Sequence, residues 1–381
     1  MKVAVLSESH PGEARVALTP DSLKPLLDRD IGVVVQSGAG EKASWTDAAY
    51  RDAGAEIGAD AASTLAGADL VLRVRPPTAA EAAALTSGQT LIGFLAPLDH
   101  PDIVRTLADK GVTAFSMELV PRITRAQKMD ALSSQATVAG YKAVLLGAGT
   151  LGKFLPMLMT AAGTIRPSKV LVLGAGVAGL QAIATAKRLG ATVFAFDIRP
   201  AVKEQVESLG ATFLEAELDE KVETEGGYAR ELTEEEMEDE MRLLARHIPD
   251  MDLVITTARV PGRPAPVLVT EEMVESMRAG SVIVDLASES GGNCPLSVEG
   301  GEVVHDGVHI LGPVELAGSL PVHASQMYAR NVSALLLDLL DDEGNLALDF
   351  EDEVVDGACV THGGEIRNET IRELLGRRSH G

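Results

Sequence analysis

One stretch limits the possible folds more than any other: KVLVLGAGVAGLQAIATAKRLGATVFAFD, residues 169–197. It reads as strand, glycine-rich turn, helix and second strand, and an aspartate closes it. Gly174, Gly176 and Gly179 form G-x-G-x-x-G, a spacing that a chain with 37 glycines will produce somewhere by chance. The context is what makes it specific, because Asp197 ends the second strand at the separation a dinucleotide-binding βαβ unit requires. Gly174 permits the tight turn, Gly176 lets backbone amides approach a pyrophosphate, and Gly179 lets helix and strand pack closely. The helix N-terminus adds a partial positive charge for the phosphates. Val177 and Ala178 lie between the glycines and join the candidate cofactor set, as do Ile198 and Arg199 after Asp197. Asp197 would accept hydrogen bonds from the adenosine ribose hydroxyls and repel a 2′-phosphate, which favours NAD(H). Arg199 could receive that phosphate, so NADP(H) stays open on the residues alone.

A chain of 381 residues exceeds what one core usually serves, so two domains are expected. The first 120 residues alternate strand and helix signals: KVAVL, the Thr19-capped helix TPDSLKPLLDR, GVVVQ, ADLVLRVR, TLIGFL and TAFSMEL. A second alternation starts at 169 and returns in MDLVITT, SVIVDLA and VHILG, and a long helix follows from Pro321. Such alternation implies mostly parallel sheets with helices on both faces. The expected fold is α/β, with two Rossmann-like doubly wound domains separated by a cleft. Residues 1–135 plus 320–381 form the first domain and residues 136–319 the nucleotide-binding one. The apolar segment Val144–Ile165 is long enough to raise the question of a membrane span, but Lys153, Pro156 and its glycines make a buried helix plus loop the better reading. The acidic stretch ELTEEEMEDE reads as a solvated helix face.

A formal net charge of −23 excludes nucleic acid as a partner, since phosphate binding needs a basic surface. Two cysteines, Cys294 and Cys359, make no disulfide framework or zinc spacing. His305, His309 and His323 show no metal-ligand pattern, so no metal is expected. The N-terminus reads as a buried strand rather than a signal peptide, which points to the cytoplasm.

A polar stretch, PRITRAQKMDALSSQATVAGYKAV, stands between these two halves. Arg122, Gln127, Asp130 and Ser133 fall within twelve residues of it, enough to gather around one carboxamide and its ribose. Composition alone also allows a polar hinge with internal hydrogen bonds. The motifs RITRAQKMDALSSQATVAGY, GAGVAGLQAIATAKRLGA, GGYAREL, PGRPAPVLVTEEMV and SVIVDLASESGGNCPLS together resemble the soluble NAD(H)-binding component of proton-translocating nicotinamide nucleotide transhydrogenase. The likeness covers almost the whole chain, and R-A-Q-x-M-D-x-L-S-S-Q is its most specific segment. It implies that Arg122 and Ser133 serve the nicotinamide carboxamide and that Asp130 belongs to the same loop. Gln127 would reach toward NADP(H) on a partner component, and Tyr228 would close a mobile loop over NAD(H). The resemblance further implies a homodimer that docks peripherally on membrane-integral subunits at the cytoplasmic face, with no span of its own. Arg122, Gln127, Asp130 and Ser133 are thus the candidate catalytic residues, in a direct hydride transfer between two nicotinamides coupled to proton translocation.

The rival within the same superfamily is an alanine dehydrogenase-like amino-acid oxidoreductase, which needs a proton-transfer group beside the substrate carbonyl. Arg15 and Arg75 stand where the resemblance puts that enzyme's carboxylate-binding arginine and its lysine. Ala96 stands in place of its histidine, and an arginine cannot release a proton near neutrality.

Overall fold

The computed structural model describes residues 1–215, 233–259, 263–341 and 343–378. The chain divides into two compact units, Met1–Gln135 with Ala317–Gly381, and Ala136–Leu316. It therefore re-enters the first unit at Ala317, three residues ahead of the expected 320.

The first unit is built on a sheet ordered Glu365–Ile366, Cys359–His362, Thr113–Ser116, Thr90–Gly93, Leu70–Leu72, Lys2–Val5, Gly32–Gln36 and Glu56–Gly58. The six strands from the first half of the chain pair parallel, and Cys359–His362 adds antiparallel beside Thr113–Ser116. Side chains alternate between faces along each strand. Val3, Val5, Leu70, Leu72, Ile92 and Phe115 enter one apolar cluster, while Ala4, Val71, Leu91 and Ala114 enter another. The returning helix Pro321–Asp338 covers the first of these faces with Tyr328, Val332, Leu335 and Leu336. One expected helix breaks up. TPDSLKPLLDR forms a 3-10 turn, Pro20–Ser22, and then a short helix, Lys24–Leu27. Pro25 lies in that helix's first turn, the position where its missing N–H costs least.

The second unit carries the nucleotide motif. Helix α1 (Ala131–Thr150) leads into it, followed by β1 (Lys169–Leu173), α2 (Val177–Arg188), β2 (Thr192–Phe196), β3 (Thr212–Phe213), α3 (Glu234–His247), β4 (Leu253–Thr256), β5 (Val282–Asp285), β6 (Glu302–His305) and β7 (Val308–Leu311). The sheet order is β3-β2-β1-β4-β5-β7-β6, parallel throughout except for the β6–β7 hairpin. The order reverses at β1, and ligands in such sheets bind beyond the strand C-termini at that switch point. Val170, Val172, Ile255 and Val284 point to one covered face, and Leu171, Leu173, Val254 and Ile283 to the other.

The apolar segment after residue 144 departs from expectation in its second half. Helix α1 ends at Thr150, and the chain then forms a two-stranded hairpin, Leu158–Thr160 with Gly163–Ile165, instead of a buried loop. Phe154, Met157, Met159 and Ile165 are exposed there, Met159 by 77%. No helix among the described residues is long and apolar enough to cross a membrane.

Candidate functional site: a dinucleotide cradle and a polar turn

In the second unit the role of each motif glycine follows from what a Cβ would meet. At Gly179 it would lie 1.8 Å from the Gly174 carbonyl oxygen, so this is the position where helix and strand come too close for any side chain. Gly174 has φ +95°, and its Cβ would meet Thr257 Oγ1 at 2.5 Å. Gly176 has open space beyond its Cα, on the side a ligand would approach. Gly176 is also the N-cap of α2 and makes no side-chain cap bond. The first amides of a helix have no partners within it, so α2 presents N–H donors and a positive dipole end to that open space. This arrangement fits a pyrophosphate. Val177 is exposed and Ala178 half-buried in the first turn.

Asp197 is buried, and both of its oxygens are engaged. Oδ2 accepts from the Ala175 amide at 2.7 Å and from Arg199 Nη2 at 2.9 Å. Oδ1 accepts from the Arg199 amide and Nε, each at 2.9 Å. The carboxylate therefore fixes the glycine turn and folds Arg199 back in a bidentate pair, the geometry in which a guanidinium binds carboxylate best. Ile198 is half-buried and packs against the apolar cluster of Phe196 and Leu244. Tyr228 falls outside the described residues.

In the first unit the polar stretch forms a 3-10 turn, Thr124–Met129, that runs into α1. Ala126 and Met129 are buried, Arg125 is clamped by Asp338 and Asp352, and Asn331 Nδ2 donates to the Lys128 carbonyl at 2.8 Å. These anchors leave Gln127 and Arg122 exposed on a fixed base. Asp130 caps α1: its Oδ1 accepts from the Ser133 amide at 2.8 Å and its Oδ2 from the Ser133 hydroxyl at 2.6 Å. Some of the polarity is thus spent on helix capping, which satisfies amides that would otherwise lack partners.

The positions of the rival dehydrogenase are otherwise occupied. Arg15 is buried, with Nε and Nη2 on Glu13 and Nη1 on Gln135 Oε1, so a substrate carboxylate would have to displace Glu13. Burial pushes the Glu13 carboxyl up, but the Arg15 guanidinium overrides it and holds the group below its ordinary value. Ala96 adopts φ +41°, and its amide donates to the half-buried Glu118 at 2.6 Å.

Several participants are invisible in the spacing of the sequence. A Cβ on Gly140 of α1 would sit 2.0 Å from the Ala178 carbonyl oxygen, so that glycine lets α1 press against the cradle. Asn293 brackets Ala258, accepting from its amide and donating to its carbonyl. His305 Nε2 stands 3.7 Å from carboxylate oxygens of both Glu271 and Glu275, an arrangement assembled from two segments, the helix Glu271–Glu275 and β6. The ELTEEEMEDE stretch differs from its expected form: α3 is present, but Glu236 and Glu240 on it are buried.

Comparison with known proteins agrees with these features. The N-terminal domain model of alanine dehydrogenase/PNT matches residues 4–139, and the C-terminal domain model matches residues 143–369. The chain is similar to an NAD(P) transhydrogenase alpha-subunit polypeptide of Rhodospirillum rubrum, 48% identical over 96% of this chain and 97% of that one. It is 31% identical to an alanine dehydrogenase of Halomonas elongata, over 99% of this chain and 97% of the other. A crystal structure of transhydrogenase from Sinorhizobium meliloti superposes with a TM-score of 0.87 at 46% identity, covering 96% of this chain and 100% of that one.

Proposed function

The chain belongs to the alanine dehydrogenase/PNT family, and on that premise we propose that it is the NAD(H)-binding subunit of a proton-translocating transhydrogenase. The likeness to transhydrogenase alpha subunits is much stronger than that to alanine dehydrogenases. One structural observation favours the same branch. Ala96 brings no proton-transfer group to the position of the dehydrogenase's histidine, and Glu13 clamps Arg15 at the position of its carboxylate-binding arginine.

NAD(H) supplies the hydride chemistry, and the residues of this chain supply binding and aim. The amides at the start of α2 hold the pyrophosphate, and Asp197 receives the adenosine ribose. Arg122 and Ser133 serve the nicotinamide carboxamide, and the Asp130 cap fixes the direction of the Ser133 hydroxyl. Gln127, exposed on its anchored turn, faces the NADP(H) that a partner component carries. Transfer between two nicotinamide rings needs no acid or base on the protein; it needs the rings held close and water kept out. Tyr228 closes over the bound nucleotide. The chain docks on membrane-integral subunits at the cytoplasmic face, where the transfer is coupled to proton movement.

The purified chain is expected to bind NADH with clear preference over NADPH in calorimetry, and to catalyse NADH-to-NADP⁺ transhydrogenation only when the NADP(H)-binding component is added. Transfer by the chain alone would refute the division of the two nucleotides. A homodimer belongs to the same reading, supported by the exposed apolar hairpin around Met157 and Met159. Light scattering at micromolar concentration is expected to give twice the chain mass, and a monomer mass would remove the claim.

A further inference from the structure

The nucleotide site has an electrostatic gap. Asp197 is the residue expected to reject a 2′-phosphate, yet Arg199 neutralises it through a bidentate pair. A paired carboxylate repels an incoming anion less than a lone one would, and a guanidinium beside it would attract a phosphate.

Helix α3 supplies the missing charge. Glu236, Glu240, Leu244 and Ile248 recur every fourth residue, and all four are buried, so they form one stripe against the sheet. Leu244, Ile248 and Met241 pack in the apolar cluster with Phe196, Ile198 and Leu214. The acidic end of the stripe is the N-terminal half of α3. In a parallel βαβ unit the connecting helix runs antiparallel to its strands, so this half lies at the strand C-termini, where the cradle and Asp197 also lie. Glu236 is accounted for, because its carboxylate accepts from the Thr233 amide at 2.8 Å in a capping box. Glu240 has no such work, and among the described residues no cation or hydrogen-bond donor pairs with it.

We infer that Glu240 is a second specificity-determining carboxylate of the nucleotide site, set against the 2′-phosphate of NADP(H). The inference rests on the NAD(H)-binding reading above. Burial, and then the charge of Asp197, push the Glu240 carboxyl up to about 7. It therefore gains its negative charge as pH rises through neutrality, and rejection of the 2′-phosphate strengthens in the same direction. Among the described residues, the charge that acts on it is that of Asp197, which is itself paired with Arg199, and Glu236 lies one turn away on the same buried stripe. Lys203, on the helix that follows β2, is held by Glu215.

The test is the ratio of NADPH to NADH dissociation constants, measured by calorimetry on the isolated full chain between pH 7 and 8.5. In that range a 2′-phosphate with a second pKa of about 6 is already largely dianionic, so the remaining change reports the protein. The wild-type ratio is expected to rise with pH. Glu240→Gln, which matches the protonated acid in shape, is expected to lower the ratio by about tenfold at pH 8.5, the order for unit charges about 12 Å apart at an effective dielectric of about 20. It should also flatten the profile, and Glu240→Asp should restore some of both effects. A Gln variant with the wild-type ratio and slope would overturn the inference. A wild-type ratio that stays flat across the range would overturn it without any variant. Failure of the wild-type chain to bind NADH would instead sink the underlying reading.

Discussion

Gly179→Ala is expected to reduce NADH affinity of the isolated chain by about 100-fold and to lower the melting temperature of the nucleotide-binding unit, because overpacking a rigid contact costs up to about 3 kcal/mol. The added Cβ would lie 1.8 Å from the Gly174 carbonyl oxygen and 2.8 Å from its carbon. Neither atom can swing aside as a side chain would. Gly174 sits at the end of β1, with its amide bonded to the Phe196 carbonyl at 2.8 Å. The strain must therefore be relieved by moving α2, which carries away the amides that would hold the pyrophosphate. Gly176→Ala is the internal contrast. Its Cβ meets nothing within 4 Å and its φ is −74°, so that variant should fold and melt like wild type. Isothermal calorimetry and thermal melts on the two variants check the claim. Wild-type NADH affinity in a folded Gly179→Ala would show that the cradle does not hold the dinucleotide.

The nucleotide unit is legible in the sequence because its determinants are local. Strand, glycines, helix and acid lie within one continuous stretch, and each glycine has a distinct steric reason. The alternating strands of the first unit are legible for the same cause, since a strand buried on both faces is a short run of Val, Ile and Leu. What escapes depends on tertiary neighbours. Nothing near Gly140 in the sequence announces the carbonyl of Ala178 that forbids a side chain there. The apolar run after Gly152 has the composition of an interior, and the structure turns it into an exposed hairpin, for hydropathy does not reveal which surface a segment will cover. Arg199 beside Asp197 is a visible ambiguity, but only the geometry shows the two locked together.

In the acidic helix two sequence signals compete. Composition suggests a solvated face, whereas the four-residue spacing of Glu236, Glu240, Leu244 and Ile248 places two glutamates in line with two core residues. Periodicity outranks composition in deciding which face is buried. The polar stretch also carries two messages in one composition. On the proposed function its crowding of hydrogen-bonding groups has two purposes, and the cap that Asp130 makes on Ser133 is the structural one.

The other purpose is tested at Gln127. Gln127→Asn shortens an exposed side chain by one methylene and leaves the buried anchors Ala126 and Met129, the Asn331 bond to Lys128 and the Arg125 clamp in place. The turn therefore keeps its position, and the only change is how far one amide reaches. Direct transfer is sensitive to such a change, since misplacing reacting groups by about 1 Å can cost 100-fold. Arg122→Ala, by contrast, removes a cation proposed to serve the nicotinamide carboxamide of this chain's own nucleotide, and it should weaken NADH binding outright. The decisive measurement is single-turnover hydride transfer from NADH on the Gln127→Asn subunit to an NADP⁺ analogue on the partner, beside NADH binding to the same subunit alone. The account predicts near wild-type NADH affinity with transfer slowed at least tenfold, about 1.4 kcal/mol or more in barrier. Transfer at the wild-type rate would contradict it and leave the stretch as no more than a polar hinge.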